Sequence, residues 1–500
     1  MDTLQLSNYR RFKDTGIVHL KPLTFLVGAN SSGKSSFLKF FPLLKQSLGV
    51  NRNGTFLWYS NDVDFKDFEN TVHNGKGSIN ISFTFPLRNP SSQLFDFLDN
   101  NNDFDDFSEK YIKKEVEISV KLEISAKSKS KDDYFSLIVI QFLDQKIEIH
   151  ISEDEKTKLF INDQEFEIKL HAAVSNNSVF LIPRFFEENN DGIYSNKIGN
   201  VVKYFKKTFD KDNEKWSFFD FSDSFYLMEQ KATLKYMKLM NIQNEDMLIA
   251  NDMYILLHLN NIIDNINSYL YDVSSNITYV RPLRVSTERY YRYQNYAVNE
   301  IDSDGKNLAM YLANLSDQQM IRFTDWTSKL FGFQIRVLKH EGHIELQIFE
   351  GNEIPRNLVD TGFGYTQLLP IVTMIWNAMK FPLRRSIFRN RSNAPKIIVI
   401  EQPELHLHPR FQAKFGAMLS KVITNGEGNN IKFIIETHSE AILNSIGIQI
   451  ERQNLNKDSV NVVLFNADAE GYKNYIEEVQ FNNRGFIDHW PTGFLSEDVY

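Results

Sequence analysis

Leu23-Thr-Phe-Leu-Val27 followed by Gly28-Ala29-Asn30-Ser31-Ser32-Gly33-Lys34-Ser35-Ser36 and then Phe37-Leu-Lys-Phe-Phe-Pro-Leu-Leu is the stretch on which the fold turns. The compact apolar run reads as a buried strand, and the apolar positions after the loop suit a helix closing near Gly49. Between them, G-x-x-x-x-G-K-S sits in the strand–loop–helix setting that a P-loop requires. Gly28 and Gly33 let the backbone turn so that successive N–H groups face phosphate oxygens, with the helix start adding favourable potential. Asn30, Ser31, Ser32, Gly33 and Ser36 would line that cradle. Lys34 is expected at the β/γ-phosphates of a nucleoside triphosphate and the Ser35 hydroxyl on Mg²⁺. From average residue frequencies, a chance match in a chain of this length is on the order of 0.02.

Outward from this stretch, residues 3–7 and 16–20 read as short strands. Residues 78–170 look like an antiparallel meander: SINISFTF, EVEISVKLEIS, YFSLIVIQFL, QKIEIHIS and KLFIND are strand-like, several with clean period-2 alternation. The polar stretch 96–106 and the Lys/Ser turn 126–133 read as solvated loops. Residues 245–271 carry helical periodicity and suggest an inserted arm, too short for a long coiled coil. Lys396 to Ile400 and Ile431 to Ile435 are continuous apolar runs of the kind buried on both faces of a parallel sheet, with a helix-like segment over 411–423 between them. The expectation is an α/β P-loop NTPase with an antiparallel β subdomain and an inserted helical arm. It divides into an N-terminal lobe over 1–200, a helical insertion over 201–275 and a C-terminal lobe over 276–500.

Three further segments carry chemistry. Ile397-Ile-Val-Ile-Glu401-Gln402-Pro403-Glu404 is an apolar strand ending in carboxylates, the Walker B arrangement, with Glu401 expected in the Mg²⁺ shell. Phe433-Ile-Ile-Glu-Thr437-His438-Ser439 is a second such strand, with His438 expected to contact the γ-phosphate. Asp360-Thr-Gly362-Phe-Gly364-Tyr-Thr366-Gln367 places two glycines, a hydroxyl and an amide at a helix start, again a phosphate-type arrangement. The plain alternative for this last segment is a loop entering a core helix.

Composition narrows the classes. The 500 residues carry 56 Lys+Arg against 64 Asp+Glu, a net charge of −8, which excludes a globally basic nucleic-acid coat but not a local basic groove. Cysteine is absent, so a disulfide scaffold, a Cys-ligated zinc site and a thiol nucleophile are all excluded. With 22 glycines the chain is glycine-poor, and Gly28, Gly33, Gly362 and Gly364 fall in both proposed phosphate-facing loops. No secretory leader and no apolar run of about 18 residues is evident, so a cytoplasmic protein without membrane contact is expected.

The four motifs in this order resemble those of ABC-class ATPases, the group of SMC, RecF-like and OLD-family proteins. The segments 65–77, 278–291, 358–372, 398–412, 433–443 and 489–497 are similar to a subgroup marked by IEQPELHLHP, many members of which lie in mobile or defence loci. The resemblance is weakest over 90–275. It implies two ATPs sandwiched between two subunits, with Gly362, Gly364, Thr366 and Gln367 acting in trans on the γ-phosphate and 405–409 forming the D-loop region. It also implies a homodimer, or a higher assembly, that senses and scaffolds for an effector. About sixty residues follow His438, too few for the Toprim nuclease of OLD proteins, so a nuclease-like partner in trans is expected, as in the Septu and PARIS phage-defence systems. The alternative is an SMC/RecF-like ATPase that clamps DNA itself, with Lys203, Lys206, Lys207 and the 127–131 turn lining a groove.

Several readings stay open at the level of sequence. Many ABC ATPases have a carboxylate directly after the Walker B acid, where this chain has Gln402, which cannot accept a proton from water. Either Glu404 supplies the base, or hydrolysis is slow and ATP acts as a long-lived lock, or Gln402 is an engineered substitution. His406 and His408 are a potential H-x-H metal pair. Arg281, Arg284 and Arg289 would reach phosphate or a partner acid, or else form structural salt bridges.

Overall fold

The computed structural model describes all residues except 90–109, 111–112, 129, 131, 167–169, 174–179, 189–193, 196–224, 240–246, 283–287, 295–297, 299, 352, 381–393, 425–429, 468–473 and 488–500. The polar stretch 96–106, Lys203, Lys206, Lys207, Arg284 and the segment 489–497 therefore lie outside the described residues. The chain packs as two compact units, one of residues 1–17, 43–275 and 385–394, the other of 18–42, 276–384 and 395–500. The sequence boundary at 275 coincides with a change of unit, whereas the one at 200 falls inside the first unit. The strand Leu23–Gly28 pairs in parallel with Ile431–Glu436 and Val460–Ala467, so the P-loop folds with the C-terminal half.

The first unit is built on an antiparallel sheet. Thr3–Tyr9 pairs with Phe12–Asp14 and Ile79–Arg88, and the sheet continues through Glu115–Ala126, Asp133–Phe142, Gln145–Ile151, Thr157–Ile161 and Gln164–Phe166 as neighbouring hairpins. Alternation in sequence becomes alternation in burial: Ile79, Ile81, Phe83 and Phe85 point inward while the residues between them are half-buried. The Lys/Ser turn is closed by Lys127 N–H donating to Asp132 O at 2.9 Å, and Ser128 N–H donates to the Glu153 carboxylate at 2.6 Å. The 245–271 periodicity resolves into two helices, Met247–Leu257 and Leu259–Ser275. The second buries Ile262, Ile263, Ile266, Tyr269, Leu270 and Val273, and Tyr269 stacks on Phe85 with ring centroids 4.2 Å apart. This part of the insertion is thus folded down against its own sheet.

The second unit contains a six-stranded sheet in the order Ile277–Val280, Lys396–Glu401, Ile431–Glu436, Leu23–Gly28, Val460–Ala467, Asn474–Val479. The first five strands are parallel and the last is antiparallel. All six residues of the P-loop strand are buried, as the unbroken apolar runs require for a sheet covered on both faces. Helix Pro409–Thr424 packs against helix Glu440–Glu451 at Gly416, where a Cβ would stand 2.8 Å from Ile442 O and 2.9 Å from Ser445 Cβ. A hairpin of Phe333–His340 and His343–Glu350 is flanked by helix Asp317–Phe331, which opens on a Ser316/Gln319 capping box and closes at Gly332 (φ 87°). The architecture is that of an α/β P-loop NTPase with an antiparallel β subdomain. Among the described residues, no helix is long and apolar enough to cross a membrane.

Candidate active site

Parallel register brings the chemistry to one sheet edge. Glu401 and Glu436 are Cα partners at the ends of adjacent strands, and Glu436 in turn opposes Leu26 of the P-loop strand. The Glu436 strand adjoins the P-loop strand, whereas the Glu401 strand stands one place further out, a step of about 4.8 Å.

The loop between Gly28 and Gly33 is tightly wound. A Cβ on Gly28 would lie 2.5 Å from Phe465 O and 2.8 Å from Ser32 Oγ, so the position accepts only glycine. Gly33 takes φ 109° at the start of helix Lys34–Leu38, and Ser31 is left-handed at φ 63°. Ala29, Asn30 and Ser31 are exposed, while Ser32 and Lys34 are buried. Lys34, 3% exposed, donates from Nζ to Gly28 O and Ala29 O at 2.8 Å each. Its Nζ is 4.0 Å from Glu436 Oε1. Burial lowers the Lys34 pKa, with Glu436 and Glu404 pulling the other way.

The Ser35 hydroxyl donates to Glu436 Oε1 at 3.0 Å. Glu401 instead accepts the Tyr279 hydroxyl on Oε1 at 2.6 Å. Burial raises the pKa of both acids, and Glu436, also repelled by Glu401 and Glu404, is pushed up to about 6. Glu404 accepts the Thr437 hydroxyl on Oε2 at 2.8 Å and the His438 N–H on Oε1 at 2.7 Å. Burial and the nearby Lys34 charge lower the His438 pKa. Gln402 is left-handed (φ 43°), and its N–H donates to Glu436 O at 2.9 Å. Among the described residues, three buried polar atoms at this edge have no hydrogen-bond partner: Ser32 Oγ, Glu436 Oε2 and His438 Nε2. Native interiors rarely leave such groups unpaired, so the arrangement suits a polar, phosphate-bearing ligand with a cation.

The glycine-rich segment caps helix Phe363–Lys380. Gly362 (φ 84°) is exposed, with open space where a side chain would stand. Gly364 is half-buried, and a Cβ there would lie 3.6 Å from His406 O. Thr366 and Gln367 are buried. Arg289 binds Asp360 through its two terminal guanidinium nitrogens, at 3.0 and 2.5 Å, just before Gly362. For Arg289, the structural salt bridge is what the fold contains.

The family model described as "AAA ATPase domain" matches residues 1–443. The chain belongs to the AAA ATPase domain family. No curated protein matches this AAA-family chain. Solved structures similar to it include the Smc head domain of Pyrococcus furiosus, bound to the C-terminal domain of ScpA (11% identity, 96% of each chain covered, TM-score 0.35). The SMC head domain of Thermotoga maritima is also similar (10% identity, 95% of this chain and 97% of that one, TM-score 0.35). A third is the Smc head domain of Pyrococcus yayanosii with a coiled coil and joint (10% identity, 97% of each chain, TM-score 0.32).

In this AAA-family site, the residues named from sequence fall into two groups. Lys34, Ser35, Glu404 and His438 gather around Glu436 at the P-loop edge, while Glu401, held by Tyr279, ends the next strand out. Gly362, Gly364, Thr366 and Gln367 belong to a separate helix start. His408 Nδ1 accepts the Arg410 N–H at 3.2 Å, and among the described residues no three His, Asp or Glu side chains group as a metal cluster. Two participants were not singled out in sequence. Glu436 lies inside the quoted FIIETHS segment, two residues before His438. Tyr279 sits in TYVRPLR, where nothing local marks its hydroxyl as the partner of Glu401.

Proposed function

We propose that the chain binds ATP with Mg²⁺ on its P-loop, hydrolyses it slowly, and uses the ATP-bound state to hold two copies together and control a partner protein. The observation that carries the ATP reading is the buried Lys34 beside Ser35, facing a carboxylate on the neighbouring parallel strand. In the reaction, water attacks the γ-phosphorus, the Pγ–O bond to ADP breaks, and the water's proton leaves with phosphate or solvent. Mg²⁺, when bound, neutralises charge on the β- and γ-oxygens. Lys34 would exchange its two backbone carbonyls for phosphate oxygens, and Ser35 would orient on the cation. His438, with Nε2 unpartnered, is suited to read the γ-phosphate.

The exposed Gly362 supports a role for this loop against a second copy's phosphate, with backbone N–H groups as the contacts. Thr366 and Gln367, buried in their own helix start, would act by holding that loop. The partner class follows from the motif resemblance: a nuclease-like effector acting in trans in prokaryotic antiviral defence.

The test is ATP turnover together with light-scattering mass, with and without ATP, for wild type and Lys34→Ala. Wild type should hydrolyse ATP and double in mass, and Lys34→Ala should do neither. A wild-type mass indifferent to ATP would remove the dimer reading. Duplex DNA binding that weakens steeply between about 50 and 200 mM salt would favour a DNA clamp instead.

A further inference from the structure

We propose that Glu436 supplies the carboxylate oxygen that shares the shell of nucleotide-bound Mg²⁺ with Ser35, Glu401 standing behind it. The inference rests on the ATP reading and deepens it by assigning the cation's protein contacts.

Position comes first. Glu436 ends the strand directly beside the P-loop strand, and Glu401 ends the next one out. From there Glu436 Oε1 already accepts the Ser35 hydroxyl at 3.0 Å. Adjacent oxygens of an octahedral Mg²⁺ shell, each about 2.05 Å from the ion, lie about 2.9 Å apart. Ser35 Oγ and Glu436 Oε1 therefore stand close enough for one cation to reach both, the Ser35 hydroxyl keeping its proton and turning it to another acceptor.

Satisfaction comes second. Glu436 is 3% exposed, yet its Oε2 has no hydrogen-bond partner. A purely structural buried carboxylate would have both oxygens paired, as even the half-buried Glu404 has through Thr437 and His438. Lys34 Nζ stands 4.0 Å from Oε1, beyond hydrogen-bond distance, and directs two of its three protons to Gly28 O and Ala29 O. A cation drawn to this carboxylate would pair the oxygen that the Ser35 contact leaves over.

Contrast with Glu401 comes third. Its Oε1 accepts the Tyr279 hydroxyl at 2.6 Å, so that oxygen is engaged by a neighbouring strand and not by Ser35. Its charge still adds to the field at the sheet edge, so it supports the cation from the neighbouring strand.

The test uses the full chain with a fluorescent ATP analogue, titrated in EDTA and in increasing Mg²⁺, and Mn²⁺ paramagnetic resonance in the presence of ATP as a direct readout of bound cation. Glu436→Gln should bind nucleotide in EDTA as wild type does but lose the Mg²⁺-dependent gain by about tenfold or more. It should also lose bound Mn²⁺, and Glu436→Asp should recover part of both. Glu401→Gln should lose less of each, and apo melting curves exclude misfolding as the cause. Equal or greater loss in Glu401→Gln would overturn the assignment, as would a Glu436→Gln variant that retains bound Mn²⁺. A wild type that binds no nucleotide, indistinguishable from Lys34→Ala, would overturn the ATP reading and the assignment with it.

Discussion

Glu404 and His438 are joined side chain to main chain: Glu404 Oε1 accepts the His438 N–H at 2.7 Å, while Oε2 takes the neighbouring Thr437 hydroxyl at 2.8 Å. Thr437 Oγ1 also accepts the Ser439 N–H at 3.0 Å, and the Ser439 hydroxyl donates to Gln412 Oε1 at 2.6 Å. Gln412 closes the circuit by donating to Leu407 O at 2.8 Å. The segment after Gln402 and the segment carrying His438 are therefore one hydrogen-bonded unit, and Glu404 acts in it by position.

That circuit separates a base from a latch. A glutamine at 404 keeps an oxygen for the His438 N–H and turns its amide toward Thr437, whose hydroxyl can rotate to accept. Alanine loses both bonds, leaving a buried N–H unpaired at a cost of about 1–3 kcal/mol. ATP turnover should therefore stay within about threefold of wild type in Glu404→Gln and fall by about ten- to a hundredfold in Glu404→Ala. Steady-state rates decide it. Equal collapse of the two variants would restore Glu404 as the base.

Two glycines make a matched pair of steric tests. Gly28→Ala drives a methyl to 2.5 Å from Phe465 O, within the phosphate cradle, and should abolish nucleotide binding. Gly416→Ala wedges apart the helices Pro409–Thr424 and Glu440–Glu451, at a cost of about 1–3 kcal/mol. Its main effect should be a lower melting temperature, with nucleotide affinity changed much less. Calorimetry and binding measured on the same preparations would expose the opposite ranking.

His258 separates the helices Met247–Leu257 and Leu259–Ser275, buried with its ring 4.8 Å from Phe225 and from Tyr254. Burial pushes its pKa down to about 4. Between pH 4 and the ordinary value near 6.5 the unfolded chain binds the proton and the folded one does not, so stability falls as pH falls through that window. From about pH 7 to about pH 5 the loss is about 2 kcal/mol from this group. The apparent melting temperature of wild type should drop more over that interval than that of His258→Phe. Parallel drops in the two proteins would remove His258 as the cause.

The P-loop was legible in sequence because its physics is local: a short apolar strand, two glycines, a lysine and a serine in fixed spacing. The meander was legible through period-2 alternation, visible again as the burial pattern of 79–88. The partner of Ser35 was not legible. The runs 396–401 and 431–436 both end in a glutamate, and which one adjoins the P-loop strand depends on the order of distant strands. Tyr279 illustrates the same limit, since 122 residues separate it from Glu401. The place of residues 18–42 was likewise not legible, because their strand Leu23–Gly28 pairs with strands more than 400 residues away.

Gln402 makes the last prediction. With Glu404 held by Thr437 and His438, and an amide where a carboxylate would take the water's proton, wild-type turnover should be slow. General-base help is worth about 10²–10⁴-fold, so Gln402→Glu should raise the rate by at least about tenfold even with imperfect geometry. The gain carries a condition. Glu436 is already pushed up to about 6 by burial and by the charges of Glu401 and Glu404, and a further carboxylate at 402 adds to that repulsion. Cation must relieve it, so the rate increase should appear only at high Mg²⁺, and the Mg²⁺ concentration for half-maximal rate should shift upward relative to wild type. Turnover measured across a Mg²⁺ series for both proteins reads the rate and the shift together. A Gln402→Glu variant no faster than wild type at saturating Mg²⁺ would show that water activation is not what limits the reaction.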